Sequence, residues 1–381
     1  MKISTLAKSL LTTLLCALPQ MASADVVIDQ IKYVTNTSDM TASAMTDNYE
    51  ITTANILATV TDNGQTFTVT KIAARGFYRC YLLTSITLPG TITEILDNAI
   101  ADCNTLTSLR IPASVTYLDK YALWGNRFTS LVVEPGNTVY DSRNGCNAVI
   151  ETATNTLVAG CQATIIPTTV TAIGEFAFRG CDGLTSITLP NSLTYIGKSA
   201  FNGCDLTSLT IPGSVTIIDD WAFSSCSALE NLKIPNSVTT IGNNAFTYDE
   251  ALKVVVIPNS VESIGAGAFA WCKNLKTISI PNSVVSIGSS AFNYIDANAE
   301  FFVNRKYPTS LNVTDVFSMP RYYGKLHVPE GTEADYAAQE GWNQFSNIVG
   351  DLEPAVPGDT DGNGVIDVAD LNNVVSFILS E

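Results

Sequence analysis

A phrase of 22 or 23 residues recurs along most of the chain and reads most fully from Leu184 to Cys204, LTSITLPNSLTYIGKSAFNGC. Its marker isoleucine or leucine falls at Ile72, Ile95, Leu118, Ile173, Ile196, Ile218, Ile241, Ile264 and Ile287, with one interval stretched to 55 residues. Self-similarity at a fixed period of this size is the signature of a stacked solenoid. One phrase is too short to bury its own apolar side, so successive rungs must bury theirs against each other. Leu184, Ile187, Leu189, Leu193, Ile196, Phe201 and Cys204 are expected to point inward, and the next rung repeats them at Leu206, Leu209, Ile211, Val215, Ile218, Phe223 and Cys226. The proline after the first strand is expected to end hydrogen bonding at a corner, and the glycine after the marker to supply a turn with positive φ. The pattern predicts a mainly β fold of about nine rungs, each with two short strands and two turns.

Residues 1–24 carry Lys2 and Lys8, an apolar run from Leu10 to Leu18, and Ala22-Ser23-Ala24 before Asp25, which reads as a secretory signal peptide. The run is too short to span a bilayer, and Leu15 before Cys16 is too large for lipoprotein cleavage, so export without a transmembrane segment is expected, to a periplasm, the cell surface or beyond. Without the leader, 18 basic residues face 36 acidic ones, a surface that repels nucleic acid and anionic membranes. The one histidine, His327 in LHVPEG, excludes a site built on several imidazoles, and nothing near it in sequence pairs as nucleophile and orienter.

Of nine cysteines, Cys80, Cys103, Cys181, Cys204, Cys226 and Cys272 occupy one slot of the phrase, where other rungs carry Asn126 and Asp249. Small buried thiols in an inward ladder are expected there, with bridges between neighbouring rungs such as Cys181 and Cys204 as the lesser alternative. Cys146 and Cys161 flank NAVIETATNTLVAG symmetrically about a turn near Ala153-Thr154. In an exported chain they could form a cross-strand disulfide, whose loop of about 16 residues would contribute about 3 kcal/mol.

Residues 25–69 lack the phrase but alternate apolar and polar side chains, as expected of an N-terminal β cap. The solenoid then runs over 70–292, with a hairpin insert at about 136–166 inside the lengthened interval. Over 293–350 the phrase decays into a C-terminal cap, in which Glu333 to Ala338 reads as a short helix before Trp342 and Phe345. A proline-bearing linker follows at 351–358, then an acidic tail at 359–381.

The repeated phrase, the insert NTVYDSRNGCNAVIETATNTLVAGC and the ending VPEGTEADYAAQEGW resemble the BspA-like leucine-rich repeat family of bacterial surface proteins, over residues 25–350. The resemblance implies a curved leucine-rich repeat solenoid and a role in adhesion to matrix proteins or other cells. It does not carry a ligand with it.

The tail places Asp359, Asp361, Asn363, Asp367 and Asp370 at positions 1, 3, 5, 9 and 12 of a loop, with Gly364 at position 6 and the Val365 carbonyl as a further oxygen. That is the ligand spacing of an EF-hand-like Ca²⁺ loop. With Leu371, Val374, Val375 and Ile378 on one helical face, the segment resembles one half of a dockerin. That resemblance implies a cohesin-like or self partner, although Val368 and Ala369 lack the hydroxyls often found at the cohesin contact and the second half is missing.

The expected ligand surface is the outward side of the first strand in each rung: Ser85, Thr87, Ser108 and Arg110, then Ser186, Thr188, Ser208, Thr210, Asn231, Lys233, Val254, Val256, Thr277 and Ser279. This hydroxyl-rich row suits an extended extracellular protein or glycan. No two acids can be placed across a cleft as glycoside hydrolysis needs, so a non-enzymatic binding or adhesion protein is expected. The alternative is a dockerin-tethered component of a polysaccharide-processing or cell-surface assembly.

Overall fold

The computed structural model describes residues 25–317 and 322–352. The expected signal peptide, most of the linker and the expected calcium loop lie outside them. The described chain is a β-solenoid with one short α-helix, Glu333–Ala338.

The marker residues stack in register. Ile173, Ile196, Ile218, Ile241, Ile264 and Ile287 pair in parallel, each with the next, in two-residue strands. Every residue expected to point inward in the two rungs above is buried, apart from Ile187, which is half-buried. The first strands form a second, broken row: Thr53–Asn55 pairs with Ser85–Thr87, Ser108–Ile111 with Ser130–Val133, and Ser208–Thr210 with Asn231–Lys233. From Val254–Val256 the row continues unbroken through Thr277–Ile280, Glu300–Val303, Tyr322–Pro329 and Phe345–Leu352. Residues 184–189 follow the same path without forming a regular strand.

After each marker the chain makes an eight-residue arc of consecutive turns. Amides at the fourth, sixth and eighth places bond back three residues, as from Ala200 to Gly197 and from Asn202 to Ser199. The amide at the first place bonds to the rung before, as from Gly197 N to Ile173 O (3.0 Å), and those at the third, fifth and seventh places bond to the next rung, as from Ser199 N to Asp220 O (3.0 Å), Phe201 N to Ala222 O (2.7 Å) and Gly203 N to Ser224 O (2.8 Å). Most backbone donors of the arc are thus satisfied without a strand. The geometry needs left-handed residues at the third and seventh places, for example Asn98 (φ 53°) and Asp102 (φ 59°), or Ser199 (φ 53°) and Gly203 (φ 74°).

The glycine after the marker is therefore not the positive-φ residue expected of it. Gly197, Gly242, Gly265 and Gly288 have ordinary φ, and what they provide is closeness. A Cβ on Gly265 would sit 2.5 Å from Asn243 N, and one on Gly288 would sit 2.2 Å from Ala266 N, so the backbone of the preceding rung occupies the space of a side chain.

The fifth place of the arc holds Phe178, Phe201, Phe223, Phe246, Phe269 and Phe292, whose rings stack at 4.9–5.6 Å and within 8° of parallel. The eighth place is a donor slot. The thiols of Cys103, Cys204, Cys226 and Cys272 point at the carbonyls of Phe77, Phe178, Phe201 and Phe246, at 3.0–3.3 Å, each the fifth-place carbonyl of the preceding rung. Asn126 Nδ2 does the same for Ile100 O at 2.6 Å. All eight described cysteines are buried free thiols. Burial pushes Cys80 up to about 11 and Cys103 and Cys181 up to about 12, so these sulfurs are not nucleophiles at neutral pH.

The insert splits the core. Its strands Tyr140–Asp141, Val149–Glu151 and Thr156–Ala159 pair antiparallel, and the last pairs in parallel with Ala172–Ile173, giving the second block a base to stack on. Val149, Ala159 and Cys161 join the core of the first block, whereas Cys146, Ala148, Ile150 and Leu157 join that of the second. The expected Cys146–Cys161 disulfide is not made. The ladder pairs Ile150 with Leu157 but Val149 with Ala159, a one-residue bulge that breaks the symmetry of the hairpin, and the two sulfurs belong to opposite cores.

Both ends are covered. At the start, Val26–Ile28, Ile31–Asn36 and Thr41–Met45 lead through Gln65–Ile72 to the first two-residue strand, Glu94–Ile95. At the far end, Phe301, Phe317, Tyr336, Trp342 and Phe345 pack edge-on or tilted and close the parallel ring stack. Buried Arg305 gives its guanidinium to Asn282 O and Val284 O, carbonyls of the last regular turn.

Candidate binding face

The hydroxyl groups of the repeat fall into two sets. In the turn after the proline, Ser114, Ser192, Ser214, Ser237 and Ser260 donate to a carbonyl of the rung before, at 2.5–2.6 Å. Thr93, Thr116, Thr194 and Thr239 make similar inter-rung bonds at 3.1–3.4 Å. These side chains hold the stack together, each bond contributing about 1 kcal/mol.

The first-strand row is the other set. Ser186, Thr188, Ser208, Thr210, Asn231 and Lys233 are exposed, and Val254, Val256, Thr277 and Ser279 are half-buried. Strand alternation puts them on the opposite side from buried Leu209, Val255 and Ile278. Among the described residues none of the polar members has a side-chain hydrogen bond or ion pair. The expected face residues thus lie along one side of the solenoid with their polar groups unspent, interrupted where 184–189 leaves strand geometry.

The face extends beyond the residues expected from the repeat. Register places Glu300 beside Thr277 and Phe302 beside Ser279, and His327 follows Phe302. The His327 ring stacks on Phe302 at 4.3 Å and 3°, its Nδ1 lies 2.9 Å from Asp351, and its Nε2 lies 3.8 Å from Glu300. Lys325 stands 3.6 Å from Glu300. His327 is therefore the direct counterpart of Thr188, and LHVP is the counterpart of ITLP, a match from which its place could have been read. The hydroxyl row ends in a compact cluster of charged and aromatic groups. Among the described residues the imidazole has only the carboxylates of Asp351 and Glu300 as polar neighbours, an arrangement suited to holding a partner's polar groups.

No group of three or more potential metal ligands occurs among the described residues, and none of their helices is long and apolar enough to cross a membrane. No curated protein matches the chain. Among solved structures, the pneumococcal vaccine antigen PcpA is similar over 87% of this chain and 99% of that one, with 16% identity and a TM-score of 0.54. Leucine-rich repeat proteins from Bacteroides ovatus (23% identity, TM-score 0.42, covering 85% of this chain and 76% of that one) and Eubacterium ventriosum (21%, 0.48, 77% and 99%) are also similar. At these identities the first likeness concerns the fold alone. The model of the BspA type leucine-rich repeat region matches six copies, over residues 64–143, 158–262 and 239–312. Those matches span more than half of the chain, and their period is that of the stacked rungs, so this protein belongs to the BspA-type leucine-rich repeat family.

Proposed function

We propose that this is a secreted, non-enzymatic binding protein of a bacterial cell surface, which presents the first-strand face to an extracellular protein or glycan. The observation that carries this reading is the division of hydroxyls: those in the turns are consumed by the fold, whereas those on the face are exposed or half-buried and unpaired. An extended row of small polar groups, one rung every 4.8 Å or so, fits a ligand held weakly at many points. The membership of the family and the likeness to an antigen fold are consistent with a surface location.

The tail adds a second element to the proposal. Asp359, Asp361, Asn363, Val365, Asp367 and Asp370 would bind Ca²⁺ and turn the last residues into a tether to a cohesin-like or self partner, which would make the protein a component of a larger surface assembly. The two readings separate in one experiment. The mature chain and a version ending at Asp351 are applied to an array of matrix glycoproteins, polysaccharides and cell-envelope fractions, with calcium and with chelator. Binding retained by the shorter chain in chelator assigns recognition to the solenoid; binding lost with the tail or with calcium assigns it to the tether.

A further inference from the structure

A second surface, on the arcs of the last rungs, has features that the fold does not use. The seventh arc place is Arg79 and Asp102 in the first two rungs and Gly125, Gly180, Gly203 and Ser225 in the next four, but becomes Tyr248, Trp271 and Tyr294 in the last three. These rings stack on one another, Tyr248 on Trp271 at 5.5 Å and Trp271 on Tyr294 at 3.9 Å, and form a wall along the axis. Tyr248 and Tyr294 are 42% and 44% exposed. The wall faces a low bank formed by third-place residues Asn244, Gly267 and Ser290, with Trp221 at its end, 37% exposed.

Between wall and bank lies an open hollow of about 380 Å³. Its lining contains amides, hydroxyls and aromatic rings but no charged side chain, in a chain of net charge −16. Asn293 contributes to it, and its buried Oδ1 has no hydrogen-bond partner among the described residues. Gly267 keeps the hollow open: a Cβ there would lie 2.4 Å from Asn244 Oδ1.

The aromatic residues stand at φ 56–65°, where bulky side chains are rare and where the four rungs before them use glycine or serine. They add little to the core, since their rings lie at the surface. Uncharged amides and hydroxyls beside exposed ring surface suit a sugar, whose C–H faces pack on rings while its hydroxyls exchange hydrogen bonds. The absence of charge in the lining disfavours anionic polymers. The rung step of about 4.8 Å is close to the length of one pyranose unit, so successive rungs would meet successive sugars.

We propose that this groove is a binding site for a neutral polysaccharide, separate from the first-strand face. The test uses the whole mature chain in affinity electrophoresis and calorimetry against mannan, xylan, laminarin and dextran, with heparin and fibronectin as charged and protein probes. Trp271→Ser and Tyr248→Ser copy Ser225 of an earlier rung and so should leave the fold intact, which thermal unfolding checks; Gly267→Asn fills the hollow with the rings in place. The expected result is that at least one neutral polysaccharide binds, that Trp271→Ser and Gly267→Asn each weaken it at least tenfold, and that Ser208→Lys on the first-strand face does not. Binding to none of the four, binding only to heparin or fibronectin, or binding indifferent to both Trp271→Ser and Gly267→Asn overturns the proposal.

Discussion

The two blocks on either side of the insert are built from the same phrase but hold together differently. In the second block the fifth arc place is phenylalanine in every rung and the residue after the marker is glycine in five of six, so rings stack in parallel and backbones approach closely. In the first block the same places carry Phe77, Ile100 and Leu123, and Ala73, Leu96 and Asp119. That block is shorter, has no ring stack, and lies between the N-terminal cap and the insert. The difference teaches that repetition of identical residues lets the second block extend rung after rung, whereas the first depends on its two covers. At the seam the arcs still connect, through Gly125 N to Arg179 O at 2.9 Å and Arg179 over the Trp124 ring, while the strand sheets end on either side.

The largest expected effect is at the centre of the ring stack. Phe223→Ala removes a fully buried ring that touches two others and should cost about 3–5 kcal/mol. Leu123→Ala borders an existing seam cavity of about 160 Å³ and should cost nearer 2 kcal/mol. Urea unfolding of both variants checks this, and equal losses would remove the distinction between the blocks. Next, Gly265→Ala should destabilise by about 1–3 kcal/mol through overpacking. Gly213→Ala, with nothing within 4 Å of the added carbon, should change stability by less than about 0.5 kcal/mol.

The donor slot gives a pH-dependent comparison. Asn126 accepts from Cys103 N and donates to Ile100 O and Leu123 O. Asp249 accepts from Cys226 N at 2.8 Å, but its buried Oδ2 has no partner, and burial raises its carboxyl well above the usual range. A neutral acid is the form that fits a slot whose other occupants donate. From the ordinary aspartate value near 4 up to the raised folded value, the folded chain holds one more proton than the unfolded chain, so stability falls as pH rises through that window. Asp249→Asn should remove this loss and stabilise the protein at neutral pH by about 1–3 kcal/mol, with little effect at pH 4. Asn126→Asp should introduce the same pH slope into the first block. Thermal melts at pH 4 and pH 7 read both. The smallest effect concerns the cysteines: reductant should leave the melting temperature unchanged, and alkylation of the unreduced, denatured mature chain should modify all eight described thiols.

Much of this was legible because the phrase repeats identical residues, which can only form ladders: the marker isoleucines, the phenylalanines and the slot of Cys103, Asn126 and Asp249 all stack. The glycine after the marker was misread because sequence does not distinguish a need for positive φ from a need for closeness. The residues that do carry positive φ include Trp221, Tyr248 and Trp271, types that conceal it. The Cys146–Cys161 expectation failed on a single bulge, which is invisible to counting. Glu300 and Phe302 keep the 23-residue spacing from Thr277 and Ser279 but escaped the face because Asn304 replaces the proline that marks the strand, and His327 escaped because it follows Phe302 after 25 residues. Serines in the phrase look alike in sequence, although Ser214 and Ser237 bond the rungs and Ser208 is free.

That division of hydroxyls is the central claim, and paired substitutions test it most directly. On a ligand captured by the mature chain, Ser208→Lys with Thr210→Lys is compared with Ser214→Ala with Ser237→Ala. The account predicts at least a tenfold loss of affinity at an unchanged melting temperature for the first pair, and a lowered melting temperature with affinity retained for the second. Full affinity in the face variant, with loss in the turn variant at unchanged stability, would contradict it.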